Sequence, residues 1–346
     1  MSADRTRTVS CLPGRRPEPS APPEPSAPPE PAEGRTVLVL DPVAQSVLTD
    51  LGRDCELRIR LRPDPAEMPS LLAGCDVAVV RSGVRLTAAD IEAGGRLRAI
   101  VRAGTGTDNI DLAACRRAGV AVGNAPGASG RAVAECALAL MLALSRRICL
   151  ADRQLRAGVW DKPGLMGAEL AGRTLGVVGL GPVGSDIAAL GRALGMRVVG
   201  CVERPTPRRR ADLLERDVTL TGLPELLAAA DWVCLAVPLT ERTRGLIGAA
   251  ELALMKPSAH LVNVSRGGVV DEQALYEALR SGSPAGAGID TPLSESEPSV
   301  LAALDNVVLT PHIGAMTREA QDRVGAVVVE SVRAALDGRP LPHPVP

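Results

Sequence analysis

Residues 175–184 read Leu-Gly-Val-Val-Gly-Leu-Gly-Pro-Val-Gly, in the middle of a chain of 346 residues. Val177 and Val178 end an apolar strand. Gly179, Gly181 and Gly184 follow at the spacing G-x-G-x-x-G, and Ser185–Met196 has the composition of a helix. Each glycine answers a physical need: a tight turn, close approach of backbone to a pyrophosphate, and close packing of helix on strand. A pyrophosphate would lie on the helix N-terminus, where free N–H groups and the helix dipole favour negative charge. The spacing alone also fits an ordinary glycine-rich turn. The strand before it and the helix after it supply the context that dinucleotide binding demands.

On either side of this stretch, short apolar runs alternate with helical segments from Arg35 onward. Strands are expected at Thr36–Leu40, Leu57–Leu61, Val77–Val80, Ala99–Val101 and Val120–Val122, with helices at Ala44–Leu51, Ala88–Ala93 and Leu112–Ala118. Arg131–Ile148 reads as one long Ala/Leu-rich helix. A second series follows at Thr174–Val178, Arg197–Cys201, Trp232–Val237, His260–Val264, Gly286–Ile289 and Val307–Leu309, and Arg318–Leu336 reads as a terminal helix. Continuous β-branched runs separated by helices imply parallel strands covered on both faces. The fold class is therefore α/β, with two doubly wound parallel sheets and the glycine fingerprint opening the second.

Residues 1–34 differ from the rest, repeating Pro-Glu-Pro-Ser-Ala-Pro between Pro17 and Pro31. Such a segment has too little apolar surface to fold and is expected to be an extended tail. The 39 basic and 40 acidic residues are well mixed, with a net charge of −1, which argues against nucleic-acid and membrane-surface partners. Phe is absent and Tyr occurs once, so the core must be built from Ala, Val, Leu and Ile. The eight cysteines lack C-x-x-C spacing and read as small buried apolar groups of a reducing compartment, not as a metal site or disulfide framework. With no signal-peptide pattern and no apolar run of membrane-spanning length, a cytoplasmic protein is expected.

Three histidines occur. His343 lies in a Pro-rich terminus and reads as solvated, and His260 lies inside a strand run and reads as a core residue. His312, in Thr310-Pro311-His312-Ile313-Gly314, directly follows the last strand. In open α/β sheets ligands bind beyond the carboxyl ends of strands, where a histidine can exchange a proton near neutral pH. Arg266 follows the run His260–Val264 in the same way, and its planar fork suits a carboxylate. Glu295 follows Gly286–Ile289, where a carboxylate near His312 would hold the imidazolium proton.

These stretches, with Val80-Arg81-Ser82, Val101–Asp111, Asn124-Ala125-Pro126, Ala134-Glu135, Trp160, Met166-Gly167, Asn263–Gly268 and Thr310–Ala315, resemble the D-isomer-specific 2-hydroxyacid dehydrogenases, most of all their phosphoglycerate branch. The resemblance runs from about Val77 to Leu336. It implies a Rossmann NAD-binding domain, residues 136–314, inserted into a flavodoxin-like substrate domain made of residues 35–135 and 315–346. It implies Arg266, Glu295 and His312 as the catalytic set: substrate ligand, carboxylate partner and acid/base. Cofactor contacts would come from Thr105, Gly179, Gly181, Pro182, Val183, Gly184, Glu203, Val237, Val264, Ser265, Asp290 and Gly314, and substrate contacts from Arg81, Ser82, Arg102, Ala103 and Gly104. Arg81, Ser82 and Arg102 match the places where that branch handles a distal phosphate. A small 2-hydroxy or 2-oxo acid substrate and a homodimer are implied as well.

The chain departs from the family pattern at several cofactor positions. The ribose-binding acid is expected at Val202, whereas Glu203 stands one residue later and Arg204 and Arg208–Arg210 follow. Pro182-Val183 replaces the usual Arg-Ile, Val237 a Thr, and Ser129 an Asn. Glu203 favours NAD over NADP. Spacing selects Glu295 as the histidine's partner, with Glu297-Pro298 as the alternative. Two other functions fit the pattern: a glyoxylate/hydroxypyruvate reductase, and a nucleotide-sensing binding protein of the corepressor type. No appended domain for serine feedback is expected.

Overall fold

The computed structural model describes residues 35–294 and 297–346; the Pro-rich tail and Glu295 lie outside the described residues. The first part of the chain runs β1 (Thr36–Val39), α1 (Gln45–Leu51), β2 (Glu56–Ile59), α2 (Met68–Ala73), β3 (Val77–Val80), α3 (Ala88–Ala93), β4 (Ala99–Arg102), α4 (Leu112–Ala118) and β5 (Ala121–Gly123). Its five strands form one sheet ordered β2-β1-β3-β4-β5, and every pairing is parallel.

Two helices, α5 (Gly130–Ser145) and α6 (Ile148–Arg156), lead to the second series. This runs β6 (Thr174–Val178), α7 (Pro182–Ala193), β7 (Arg197–Cys201), α8 (Pro207–Leu214), β8 (Val218–Leu220), α9 (Leu223–Ala229) and β9 (Trp232–Leu235). It continues with α10 (Ala249–Leu254), β10 (His260–Asn263), α11 (Glu272–Ser281), β11 (Gly286–Ile289) and β12 (Val307–Leu309). Its seven strands are ordered β12-β11-β10-β9-β6-β7-β8. The last helix, α12 (Arg318–Leu336), returns to the first sheet and packs on α1, β3 and β4. The architecture is two parallel-sheet α/β domains.

Strands β1, β3, β4, β6, β9 and β11 are buried along their whole length, which explains their unbroken apolar runs: helices cover both faces. Each sheet carries one core cluster per face. Those of the first sheet are centred on Val37, Val79 and Val332 and on Leu38, Leu72 and Ile100. Those of the second are centred on Leu140, Val177 and Ile187 and on Leu226, Leu235 and Leu275. Strand order reverses direction between β1 and β3 in one sheet and between β6 and β9 in the other. A crevice opens at such a switch point, beyond the strands' carboxyl ends.

Two local readings need correction, and one strand went unread. The helix expected over Arg131–Ile148 ends at Ser145; Arg147 turns the chain with a left-handed φ of 53°, and Ile148 begins α6. Strand β8 carries no unbroken apolar run to reveal it. The C-terminal segment adds to the first sheet: the Val345 N–H donates to the Val122 carbonyl at 2.7 Å and Pro344 bridges Gly123. Cys149 is exposed, and Cys136 and Cys201 are only half-buried, unlike the core thiols Cys55, Cys75, Cys115 and Cys234. Among the described residues no helix is long and apolar enough to cross a membrane.

Candidate active site

The carboxyl ends of the two sheets face a single cleft of about 1000 Å³. Arg81 and Ser82 enter it after β3, and Arg102, Ala103, Gly104 and Thr105 after β4. From the second sheet come Gly181, Pro182 and Val183 after β6, Val237 after β9, Val264, Ser265 and Arg266 after β10, Asp290 after β11, and His312 and Gly314 after β12. The strand-end rule thus gathers sixteen of the expected residues on one surface. Gly179, Gly184 and Glu203 stand off that surface.

The first two of these shape the glycine loop instead. Gly179 has φ +88°, and a Cβ there would lie 2.5 Å from the Ala236 carbonyl oxygen; a Cβ on Gly184 would fall 1.8 Å from the Gly179 oxygen. Only glycine lets α7 start so close to β6. At Gly181, the N-cap of α7, an added Cβ would meet nothing within 4 Å, so open room lies over the helix start, with Pro182 suiting the first helical position. Room for a diphosphate over free helical N–H groups is what a dinucleotide requires, and these residues fit one. Arg209 braces the loop by donating from Nη2 to the Leu180 carbonyl at 2.7 Å. Glu203, at the end of β7, is exposed and ion-paired with Arg242.

The opposite end of the cleft is rich in guanidinium groups. Arg266 donates from Nε to Asp108 Oδ1 at 3.0 Å and from Nη1 to the Ser265 carbonyl at 2.7 Å, and its own carbonyl accepts from Asn263 Nδ2 at 3.0 Å. Burial pushes the Asp108 carboxyl up, but the adjacent Arg266 outweighs it and holds the group below the usual range. Arg102 is 8% exposed, its Nε has no hydrogen-bond partner, and no carboxylate forms an ion pair with it among the described residues. Burial first, then the charges of Arg266 and Arg81, push its pKa down to about 10. Arg81 donates from Nη1 to Gln321 Oε1 at 3.2 Å, and Gln321 in turn donates to the Ala315 carbonyl at 2.8 Å. The Asn109 side chain fixes the Arg81 turn, donating to the carbonyls of Arg81 and Val84, each at 2.6 Å.

His312 sits in a turn with φ +55°, held by hydrogen bonds to Asp290. His260 is elsewhere, stacked on Trp232 with ring centroids 4.3 Å apart, and His343 is exposed. Sequence reasoning missed Asp108, Asn109, Asn263 and Gln321 as site residues. The first three lie inside stretches already marked as motifs, so their polarity beside a strand end was a usable signal. Gln321 gives none, since its role depends on a residue 240 positions away.

A family model described as "D-isomer specific 2-hydroxyacid dehydrogenase, NAD binding domain" matches residues 138–314. A D-3-phosphoglycerate dehydrogenase of Mycobacterium leprae is 42% identical over 310 residues, 89% of this chain and 58% of that protein. The chain thus spans less than three-fifths of that relative's length. A hydroxypyruvate reductase of Thermotoga maritima is 43% identical over 272 residues, 77% of this chain and 86% of its own. Among solved structures, a Thermus thermophilus protein superposes with a TM-score of 0.82 at 36% identity, covering 90% of this chain and 100% of that one.

Proposed function

The chain belongs to the D-isomer-specific 2-hydroxyacid dehydrogenases, and from that premise we propose that it transfers hydride between NAD(H) and a 2-hydroxy/2-oxo acid that carries a second anionic group, 3-phosphoglycerate or a close analogue. One observation carries the substrate class. Arg102, buried and without a carboxylate in ion-pair contact among the described residues, its charge only partly offset by Asp108 and Asp41, shares the cleft with Arg81 and Arg266. A buried charge left partly uncompensated is expensive, and a bound anion removes the expense. With the substrate carboxylate on Arg266, a phosphate would meet Arg102, with the Arg81 charge beside it.

The bound nicotinamide supplies or accepts the hydride at C2. In the reductive direction Arg266 binds the carboxylate and polarises the adjacent carbonyl, and His312 gives its proton to the forming alkoxide oxygen. The ring needs to be protonated before reduction and neutral before oxidation, and Glu295 is proposed as the carboxylate that stabilises the protonated form. Gly104 and Thr105 close the first-sheet side of the cleft. Glu203 supports NAD over NADP, since a carboxylate there accepts ribose hydroxyls and repels a 2′-phosphate. We assign residues 35–135 and 315–346 to substrate binding and residues 136–314 to the nucleotide.

The exposed apolar side chains on and after α6, Trp160 at 83% and Met166 at 79% with Ile148, Leu155 and Val159, support a homodimer formed through this face. Free thiols in the core suit the cytoplasm. A hydroxypyruvate reductase is the second reading, favoured by the nearly full-length match to the Thermotoga relative. The shared part of the proposal is tested by NADH oxidation with a panel of 2-oxo acids. Turnover is expected, and His312→Asn should lower kcat by a factor on the order of 10²–10⁴ with NADH binding retained. A corepressor-type binding protein would bind NADH and turn over none of them.

A further inference from the structure

The loop after β4 does more than line the cleft. A Cβ on Gly106 would fall 1.8 Å from Arg266 Nη2, so the guanidinium lies directly against this glycine. Two residues on, Asp108 Oδ1 accepts from Arg266 Nε at 3.0 Å across the space between the sheets. On its own side the guanidinium is held by the Ser265 carbonyl through Nη1. Of five N–H donors, one on Nε and one on Nη1 are then used, and the two on Nη2 with the second on Nη1 stay available to a ligand. The side chains of the pair are 23% and 36% exposed, so the contact is partly shielded from water.

We propose that Asp108 is a positioning residue: from across the cleft it fixes the plane of the Arg266 guanidinium so that the Nη end meets the substrate's carboxylate. The inference rests on Arg266 being the carboxylate ligand. An isolated guanidinium on a flexible stem samples many rotamers, and a substrate would have to order it at each binding event. Asp108 and Gly106 do this ordering in advance. Because the pair is only partly buried, its contribution to folding is small, and its removal should be felt in substrate binding rather than in melting. The arrangement also couples the sheets: the same loop orients Arg266 through Asp108 and the Arg81 turn through Asn109.

The experiment compares Asp108→Ala and Asp108→Asn in the full chain. KM and kcat are measured with hydroxypyruvate phosphate, the NADH dissociation constant by fluorescence, and Tm. Asp108→Ala should raise KM about 10-fold or more, with NADH binding and Tm unchanged, while Asp108→Asn, whose amide oxygen still accepts from Nε, should stay within about 3-fold of wild type. Equal losses in both variants, loss of NADH affinity alongside, or no change in KM would overturn the proposal. A second measurement is independent of turnover: hydrogen exchange of the Arg266 Nε–H, assigned by its absence in Arg266→Lys. Protection in the free wild-type protein should vanish in Asp108→Ala, and undiminished protection would refute the seating. If no 2-oxo acid is turned over yet protection vanishes, the proposed function fails and the seating of Arg266 stands.

Discussion

The carboxylate of Asp290 carries the turn on which His312 sits. It accepts from Thr310 Oγ1 at 2.7 Å and from the N–H groups of Ile313 and Gly314, each at 2.8 Å, while the Asp290 carbonyl accepts the His312 N–H at 2.8 Å. The residue is 1% exposed. A non-glycine residue at φ +55° is strained by about 1–3 kcal/mol, and such strain persists only where its surroundings impose it. Asp290 is what imposes it here, linking the end of β11 to the turn after β12.

Asp290→Ala should therefore harm both stability and the chemical step. Three donors lose a buried acceptor, which costs roughly 2–4 kcal/mol together, and the turn beneath His312 is free to relax. Thermal melting should show a lowered Tm, and kcat should fall more than KM rises. A variant with wild-type Tm and kcat would mean that the turn holds its shape without the carboxylate.

Arg102 predicts a trade between stability and binding. Replacing a buried guanidinium that no ion pair holds among the described residues by an apolar side chain of similar length removes a desolvation penalty. Arg102→Met should raise unfolding free energy by roughly 1 kcal/mol or more and raise KM for hydroxypyruvate phosphate about 10-fold or more. Chemical denaturation and steady-state kinetics on the same preparation check both. A destabilised variant with unchanged KM would assign Arg102 a structural role.

Burial holds the pKa of His260 down at about 4, from an ordinary value of 6.5. Between these values the unfolded chain binds a proton that the folded chain does not, so stability is fully present above pH 6.5 and is lost as pH falls toward 4. The loss should be on the order of 2 kcal/mol for this group. His260→Phe keeps a ring against Trp232 and removes the titration, so its urea-unfolding free energy should fall less steeply over that range. Parallel curves for the two proteins would show that His260 does not titrate this way.

Much of this was legible in the sequence because parallel strands buried on both faces leave unbroken apolar runs, and the strand ends then locate the cleft. Arg266 and His312 stood out for that reason, and Arg318–Leu336 for its helical composition; the Thr317 cap, which accepts from the Ala320 N–H at 3.2 Å, went unread. The break between α5 and α6 left no trace, because no glycine or proline marks Arg146-Arg147 and the left-handed turn is imposed by packing. Strand β8, Val218-Thr219-Leu220, is missed because an exposed Thr interrupts its three residues and leaves no unbroken apolar run. Asp108 and Arg266 are 158 positions apart, and nothing local in either segment announces the partner. Pairings between sheets follow from assembly of the fold, whereas residue types at strand ends follow from the chain itself.

The most direct test of the central claim is the ratio of kcat/KM for hydroxypyruvate phosphate to that for unphosphorylated hydroxypyruvate, both with NADH. Arg81 and Arg102 can add to substrate binding through charge only if the substrate carries a second anion, and one charge-assisted pair contributes about 1.5–3 kcal/mol. A ratio of about 10 or more is predicted, collapsing toward unity in Arg81→Ala through loss of the phosphorylated substrate alone. A ratio at or below unity in the wild-type protein, or equal losses on both substrates in the variant, would contradict the phosphorylated-substrate assignment.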